Sequence, residues 1–275
     1  MIRLGANLGL NPKDPEEWIA QARDLNCQAI SSPIDDTASA EERRAYREAA
    51  KEHDILIAEV GVWNNPISPN LTERKAAVEK AVRQLELAEE LGASCCVNIM
   101  GAAGEVWDGC YAENLTEDTY ALSVDTVRQI IDAVNPKHTF YTIEPMPWMY
   151  PDSPDNYLKL IRDIDRPAFA VHMDYTNMIN GLDKYFNSDD FIRECFQKLG
   201  PYIKSIHAKD IIAETQLPCS IREVLPGTGS INYRKVLKLA DSLGREMPVL
   251  VEHLDTYEEY KTAVAHLHQV WETCR

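Results

Sequence analysis

The chain reads as an α/β protein, a single (β/α)8 TIM barrel over residues 1–275, and three observations carry that reading. Eight short β-rich runs alternate with longer stretches of helical period. Successive runs begin about 25 to 50 residues apart, room for a crossover helix each time. No Pro/Ser-rich linker interrupts the series, and 275 residues is an ordinary length for one barrel of this type.

The strands are expected at 2–6, 28–31, 56–60, 95–99, 140–143, 168–173, 203–207 and 249–251. Between them, Val78, Val82, Leu85 and Ala88 form one apolar stripe, and Phe191, Ile192, Cys195, Phe196 and Leu199 another. Asp14-Pro15 and Ser153-Pro154 each set a capping side chain before a first-turn proline. Ser39 with Glu42, Asn70 with Glu73 and Thr256 with Glu259 have capping spacing, and Gly92, Gly200 and Gly244 stand where helices should stop. A doubly wound open sheet would favour a glycine-rich first βα turn. Here that turn, Ala6-Asn-Leu-Gly-Leu-Asn-Pro12, holds one glycine.

Composition narrows the function classes. Hydrophobic content of 45% with 26% charged residues is that of a soluble globular protein. A net charge of −16 argues against nucleic acid and offers nothing to anionic lipid. Seven scattered cysteines without a CxxC pair read as reduced thiols in a cytoplasmic protein, with Cys95 and Cys96 as core fillers. Neither a signal peptide nor a membrane span is visible, so no membrane partner is expected.

Four polar residues end four successive apolar runs: Glu144, Asp174, His207 and Glu252, spaced 30, 33 and 45 residues apart. In a (β/α)8 barrel they would gather at the carboxyl ends of strands five to eight. Three carboxylates held together raise one another's pKa strongly, and a bound dication removes that conflict. One divalent metal ion is therefore expected. The carboxylate-rich donor set favours Mn²⁺ or Mg²⁺, with Co²⁺ or Zn²⁺ compatible.

Other residues are second-rank candidates for substrate contact. Glu59 after strand three, Trp63, Trp107 after strand four, and Trp148 after Glu144 can face the pocket, the indoles stacking on a sugar's C–H face. Lys209, two residues past His207, can bind a substrate oxygen or oppose a ligand carboxylate. Arg222, in the seventh βα loop, can bind an anionic group. His172 should lie one layer below Asp174, and His253 should point to the face opposite Glu252. Pro226-Gly-Thr-Gly-Ser230 lacks the lysine of a nucleotide loop.

The motifs Thr142-Ile-Glu-Pro145, His172-Met-Asp174, Ile206-His-Ala-Lys-Asp210, Leu225-Pro-Gly-Thr-Gly-Ser-Ile-Asn-Tyr233 and Val251-Glu-His253 resemble the xylose isomerase-like sugar isomerase/epimerase superfamily along essentially the whole chain. The resemblance implies that Glu144, Asp174, His207 and Glu252 bind one divalent metal. It also implies that Glu144 and Glu252 are the catalytic acid/base pair. The implied function is sugar isomerisation or epimerisation by proton transfer through a metal-stabilised enediolate, on a small-molecule sugar or keto-sugar. Elimination from a keto-sugar, inosose or 3-keto-glycoside by a lyase or dehydratase is the alternative, and a non-catalytic sugar-binding barrel a third reading. An abasic-site nuclease, which shares this barrel ancestry, would need more histidine ligands and a basic groove. Asn177 stands where ketose 3-epimerases commonly carry histidine, so it is read as a substrate-binding amide and turns the reading away from ketose 3-epimerisation. The superfamily also allows a homo-oligomer.

Overall fold

A computed structural model describes residues 1–9 and 12–274. The first half of the chain runs β1 (Ile2–Ala6), α1 (Pro15–Asp24), β2 (Ala29–Ser31), α2 (Ala40–Glu52), β3 (Leu56–Gly61), α3 (Leu71–Leu91) and β4 (Cys95–Asn98). It continues with α4 (Glu117–Val134), β5 (Tyr141–Ile143), α5 (Pro154–Ile164), β6 (Phe169–Met173), α6 (Leu182–Phe186), α7 (Ser188–Leu199) and β7 (Ile203–Ala208). Last come β8 (Asp210–Glu214), β9 (Ser220–Val224), α8 (Tyr233–Ser242), β10 (Met247–Val251) and α9 (Tyr257–Glu272).

Eight parallel strands close into a barrel in the order β1-β10-β7-β6-β5-β4-β3-β2. This is the (β/α)8 TIM barrel expected from the alternation. Closure is made by β1 against β10, five residues in register from Ile2↔Met247 to Ala6↔Val251. The core between strands and helices is apolar and continuous, and Cys95 and Cys96 are fully buried in the barrel wall. Beside it, Ala29, Ala58 and Leu250 make a small separate cluster. Space between β1 and β2 is so short that a Cβ on Gly5 would meet Ala29 O at 1.6 Å.

Helix starts follow the sequence signals. Asp14, Asn70 and Ser153 accept from first-turn N–H groups, while Ser39 and Thr256 form full capping boxes. Each such cap stabilises by about 1 kcal/mol. Gly92 ends α3 in the left-handed region, and Gly244 does the same just after α8. Gly200 stays right-handed, because the chain tightens there into a 3₁₀ turn.

One correction concerns the segment after β7. It is not an open loop: β8 and β9 pair antiparallel as a hairpin, Asp210↔Val224 through Glu214↔Ser220. Arg222 therefore stands on a strand. No helix among the described residues is long and apolar enough to cross a membrane.

Candidate metal centre

Glu144 follows β5, Asp174 follows β6, His207 lies within β7 and Glu252 follows β10. These four strands are consecutive around the barrel, which is why positions distant in the chain meet. Pairing sets their heights: His207 stands opposite Leu250, and Ala208 opposite Val251. The Glu144 N–H extends the ladder by donating to Asn98 O at 2.8 Å. All four side chains are buried, and one ligand atom of each lies within 4.8 Å of the others.

His207 Nδ1 is 2.7 Å from Glu252 Oε1, 3.5 Å from Glu144 Oε1 and 4.0 Å from Asp174 Oδ2. Lys209 Nζ approaches the same oxygens, at 2.6 Å from Glu252, 2.7 Å from Asp174 and 3.4 Å from Glu144. Its side chain is only 1% exposed, so the ammonium is a counter-charge of the cluster. Glu223 on β9 adds a longer contact of 3.6 Å. Burial opposes the charge on Lys209, yet Asp174, Glu252 and Glu144 outweigh it and hold its pKa well above the ordinary value. His207 follows the same balance: burial is overcome by Glu252, Glu59 and Glu144, and its pKa is raised well above normal. Burial likewise works against the Glu252 carboxylate, while His207 and Lys209 bring its pKa well below normal.

Asp174 Oδ2, Glu252 Oε1 and His207 Nδ1 lie buried against one another and against the Lys209 ammonium. Three carboxylates sharing one ammonium and one imidazole leave a buried excess of negative charge, which a cation would offset. Three carboxylate oxygens and one imidazole nitrogen make an O₃N set that fits a divalent ion. Asp174 is prepared for it by its other oxygen: Oδ1 accepts from Thr176 Oγ1 and from Asn177 N at 3.0 Å, which leaves Oδ2 turned to the cluster and to Lys209.

Below the four lies a second layer. Glu59 sits inside β3, 1% exposed, and its carboxylate spans two imidazoles, His172 Nε2 at 2.8 Å and His207 Nε2 at 3.1 Å. Burial raises its pKa, but the two histidines bring it to about 2. Glu59 was expected to face substrate, and the structure instead joins it to the ligand His207. Asn177 donates from Nδ2 to Glu144 Oε1 at 3.0 Å, so it steadies a ligand carboxylate.

Above the cluster opens a pocket of about 350 Å³ whose polar floor is Glu144 and Glu252. Asn7, Trp63, Trp107, Met146, His253 and Tyr260 line its walls. Both indoles remain 39% exposed. Trp63 has φ +48° and lies over Gly61, where a Cβ would meet its Nε1 at 2.1 Å. Trp148 turns into the loop packing, donating from Nε1 to Asp108 O at 2.9 Å. Arg222 pairs with Glu214 at 2.8 Å on the hairpin surface.

His253 corrects the sequence reading. Strand alternation aims it away from Glu252, but its φ of +56° breaks the alternation and turns it into the mouth. There Nδ1 faces Glu223 at 3.2 Å, and Nε2 lies 3.8 Å from Glu252 Oε2. That hydrogen bond raises its pKa against partial burial. Asp210 also escaped notice: its fully buried carboxylate accepts from the N–H groups of Ile211, Gly227, Gly229 and Ile231, and so pins the glycine-rich loop over the strand end.

A closed (β/α)8 barrel with acids and one imidazole gathered at its strand ends has the architecture on which enzyme sites are built, at the carboxyl ends of the strands. The chain belongs to the xylose isomerase-like TIM barrel family, whose model matches residues 19–270. No curated protein sequence matches it significantly. Among solved structures it is similar to a xylose isomerase-like TIM barrel protein from Mycobacterium smegmatis in complex with magnesium, at 18% identity and TM-score 0.72 over 99% of this chain and 97% of that one. It is also similar to the 3-keto-D-glucoside 4-epimerase YcjR from E. coli, at 12% identity, TM-score 0.69, and 98% and 100% coverage. A third is the probable 3-DHS dehydratase AsbF from Bacillus anthracis, at 16% identity, TM-score 0.70, and 92% and 93% coverage. At these identities the likeness is one of fold.

Proposed function

We propose that this protein is a divalent-metal-dependent sugar isomerase or epimerase acting beside a carbonyl of a sugar or keto-sugar. The convergence of Glu144, Asp174, His207 and Glu252, all buried and with one ligand atom of each within 4.8 Å of the others, carries the reading. Structural neighbours described as a 3-keto-D-glucoside 4-epimerase and a probable 3-DHS dehydratase support the reaction class. A Mn²⁺ or Mg²⁺ ion held by these four residues would polarise a carbonyl and its neighbouring hydroxyl, acidifying the C–H between them.

The chain's own groups then move the proton. Glu144 and Glu252 each turn Oε1 to the cluster, which leaves Oε2 for acid–base work. Asn7 Nδ2 donates to Glu252 Oε2 at 3.3 Å and holds that oxygen toward the pocket. One glutamate removes the proton, and the other returns one to the opposite face. Trp63 and Trp107 cover the reacting carbon with apolar surface and exclude water.

Elimination remains as a second reading because of His253. Epimerisation requires two titratable groups, and His253 supplies a third at the mouth, placed to protonate a departing hydroxyl or alkoxide.

The test loads the protein with Mn²⁺ and offers a panel of ketoses, inososes and 3-keto-glycosides in D₂O. Expected is solvent deuterium at the carbon next to the carbonyl, with product analysis separating epimer from eliminated product. Glu252→Gln should lower turnover by at least about 10²-fold while the protein stays folded. Undiminished turnover in that variant removes Glu252 from the chemistry, and absence of exchange across the panel counts against the whole reading.

A further inference from the structure

We infer that Glu59 is a positioning residue that fixes which ring nitrogen of His207 is offered to the cation, with His172 locking Glu59 in place. The inference rests on the metal reading above and adds a layer to it. Both oxygens of Glu59 are committed, Oε1 toward His207 Nε2 at 3.1 Å and Oε2 toward His172 Nε2 at 2.8 Å. A carboxylate accepts and has no hydrogen to donate, so both facing nitrogens carry N–H. Without a cation Nδ1 also carries hydrogen, facing Glu252 at 2.7 Å; a cation would take the place of that proton, and with Nε2–H kept on Glu59 the nitrogen it meets is Nδ1, which faces Glu252, Glu144 and Asp174. The opposite tautomer would set an N–H against the site and leave Nε2 and Glu59 as two acceptors face to face.

The packing holds this arrangement firmly. Glu59, His172 and His207 are buried. The two rings meet edge to face, centroids 4.0 Å apart at 73°, which stops either from turning over. The backbone N–H of His172 is held by Tyr157 Oη at 3.2 Å, and Tyr157 Oη also donates to Ile143 O on the strand that carries Glu144. Glu59 belongs to β3, on the side of the barrel away from the ligand-bearing strands, so it reaches His207 across the interior.

Glu59→Gln is the discriminating variant. An amide must turn its NH₂ toward one of two N–H donors, so one ring loses its partner or changes tautomer. Mn²⁺ affinity read by electron paramagnetic resonance should fall about 10- to 100-fold, the usual cost of losing a partner behind a metal-bound histidine. The urea midpoint of the metal-free variant guards against simple unfolding. If the variant does not fold, ¹⁵N spectra of the wild-type protein loaded with diamagnetic Mg²⁺ decide. His207 should show a protonated Nε2 and a ligating Nδ1. Wild-type affinity in folded Glu59→Gln, or a ligating Nε2 in the spectra, overturns the inference alone. A wild-type protein that takes up no Mn²⁺ overturns it together with the metal reading.

Discussion

Removing the ammonium of Lys209 would leave Asp174 and Glu252 at close quarters with Glu144, and His207 as the remaining cation among them. Methionine fills a similar volume, so the change isolates charge from packing. Breaking a buried ion pair by deleting one partner costs about 3–5 kcal/mol, because the other charges stay buried. Lys209→Met should therefore destabilise the metal-free protein by about that much in urea unfolding. Saturating Mn²⁺ should close most of the gap, since a dication among the same oxygens replaces the lost charge. A gap that is equal with chelator and with Mn²⁺ would show that the ion and the ammonium do not share those carboxylates.

Glu89, on α3, joins two elements that the sequence leaves unconnected. Its carboxylate accepts from the backbone N–H groups of Lys137 at 3.0 Å, His138 at 3.0 Å and Thr139 at 3.0 Å, and so fastens the turn between α4 and β5. Partial burial raises its pKa, but the N–H groups of Thr139, His138 and Lys137 outweigh that and lower it. A lowered native pKa gives stability that is fully present above the unfolded value of about 4.3 and is lost as pH falls through the lower native value. Glu89→Gln should thus cost about 1 kcal/mol at pH 7, with wild type and variant converging as the pH drops below about 4. A pH-independent difference in unfolding free energy would count against that role. The same element shows where sequence legibility ends. The strand alternation and the helix caps could be read because each depends on neighbours in the chain, and the four strand-end positions because each follows its own apolar run. The β8–β9 hairpin could not, since Glu214, Arg222 and Glu223 blur its alternation, although two β-capable runs separated by Thr215-Gln-Leu-Pro-Cys219 were a usable signal. His253 was misplaced because alternation assumes extended backbone. Glu59 was read as following strand three, whereas it lies inside β3, which runs from Leu56 to Gly61, one residue beyond the expected end at 60. Asn135 and Asp165 end α4 and α5 in the left-handed region, a task usually left to glycine.

Across the whole molecule the candidate ligands divide the barrel unequally. β5, β6, β7 and β10 carry all four of them and form one continuous half of the wall, while β1 to β4 carry none. An ion bound between them ties that half together at its carboxyl end, and the other half gains only through overall stability. Binding to the folded state alone adds RT ln(1 + [L]/Kd), about 2.7 kcal/mol at a hundredfold excess over Kd. Amides that exchange only by global unfolding should all slow by that amount. Amides that exchange by local opening should slow unevenly, most at the carboxyl ends of β5, β6, β7 and β10 and least in β2. Glu59 gives β3 an intermediate place, because its carboxylate couples that strand to His207 through the interior. Hydrogen-exchange mass spectrometry with and without Mn²⁺ measures the pattern directly. Equal slowing of the locally opening amides in both halves would count against this placement, whereas an uneven pattern among them, strongest in one half, ties the cation to the convergence of Glu144, Asp174, His207 and Glu252.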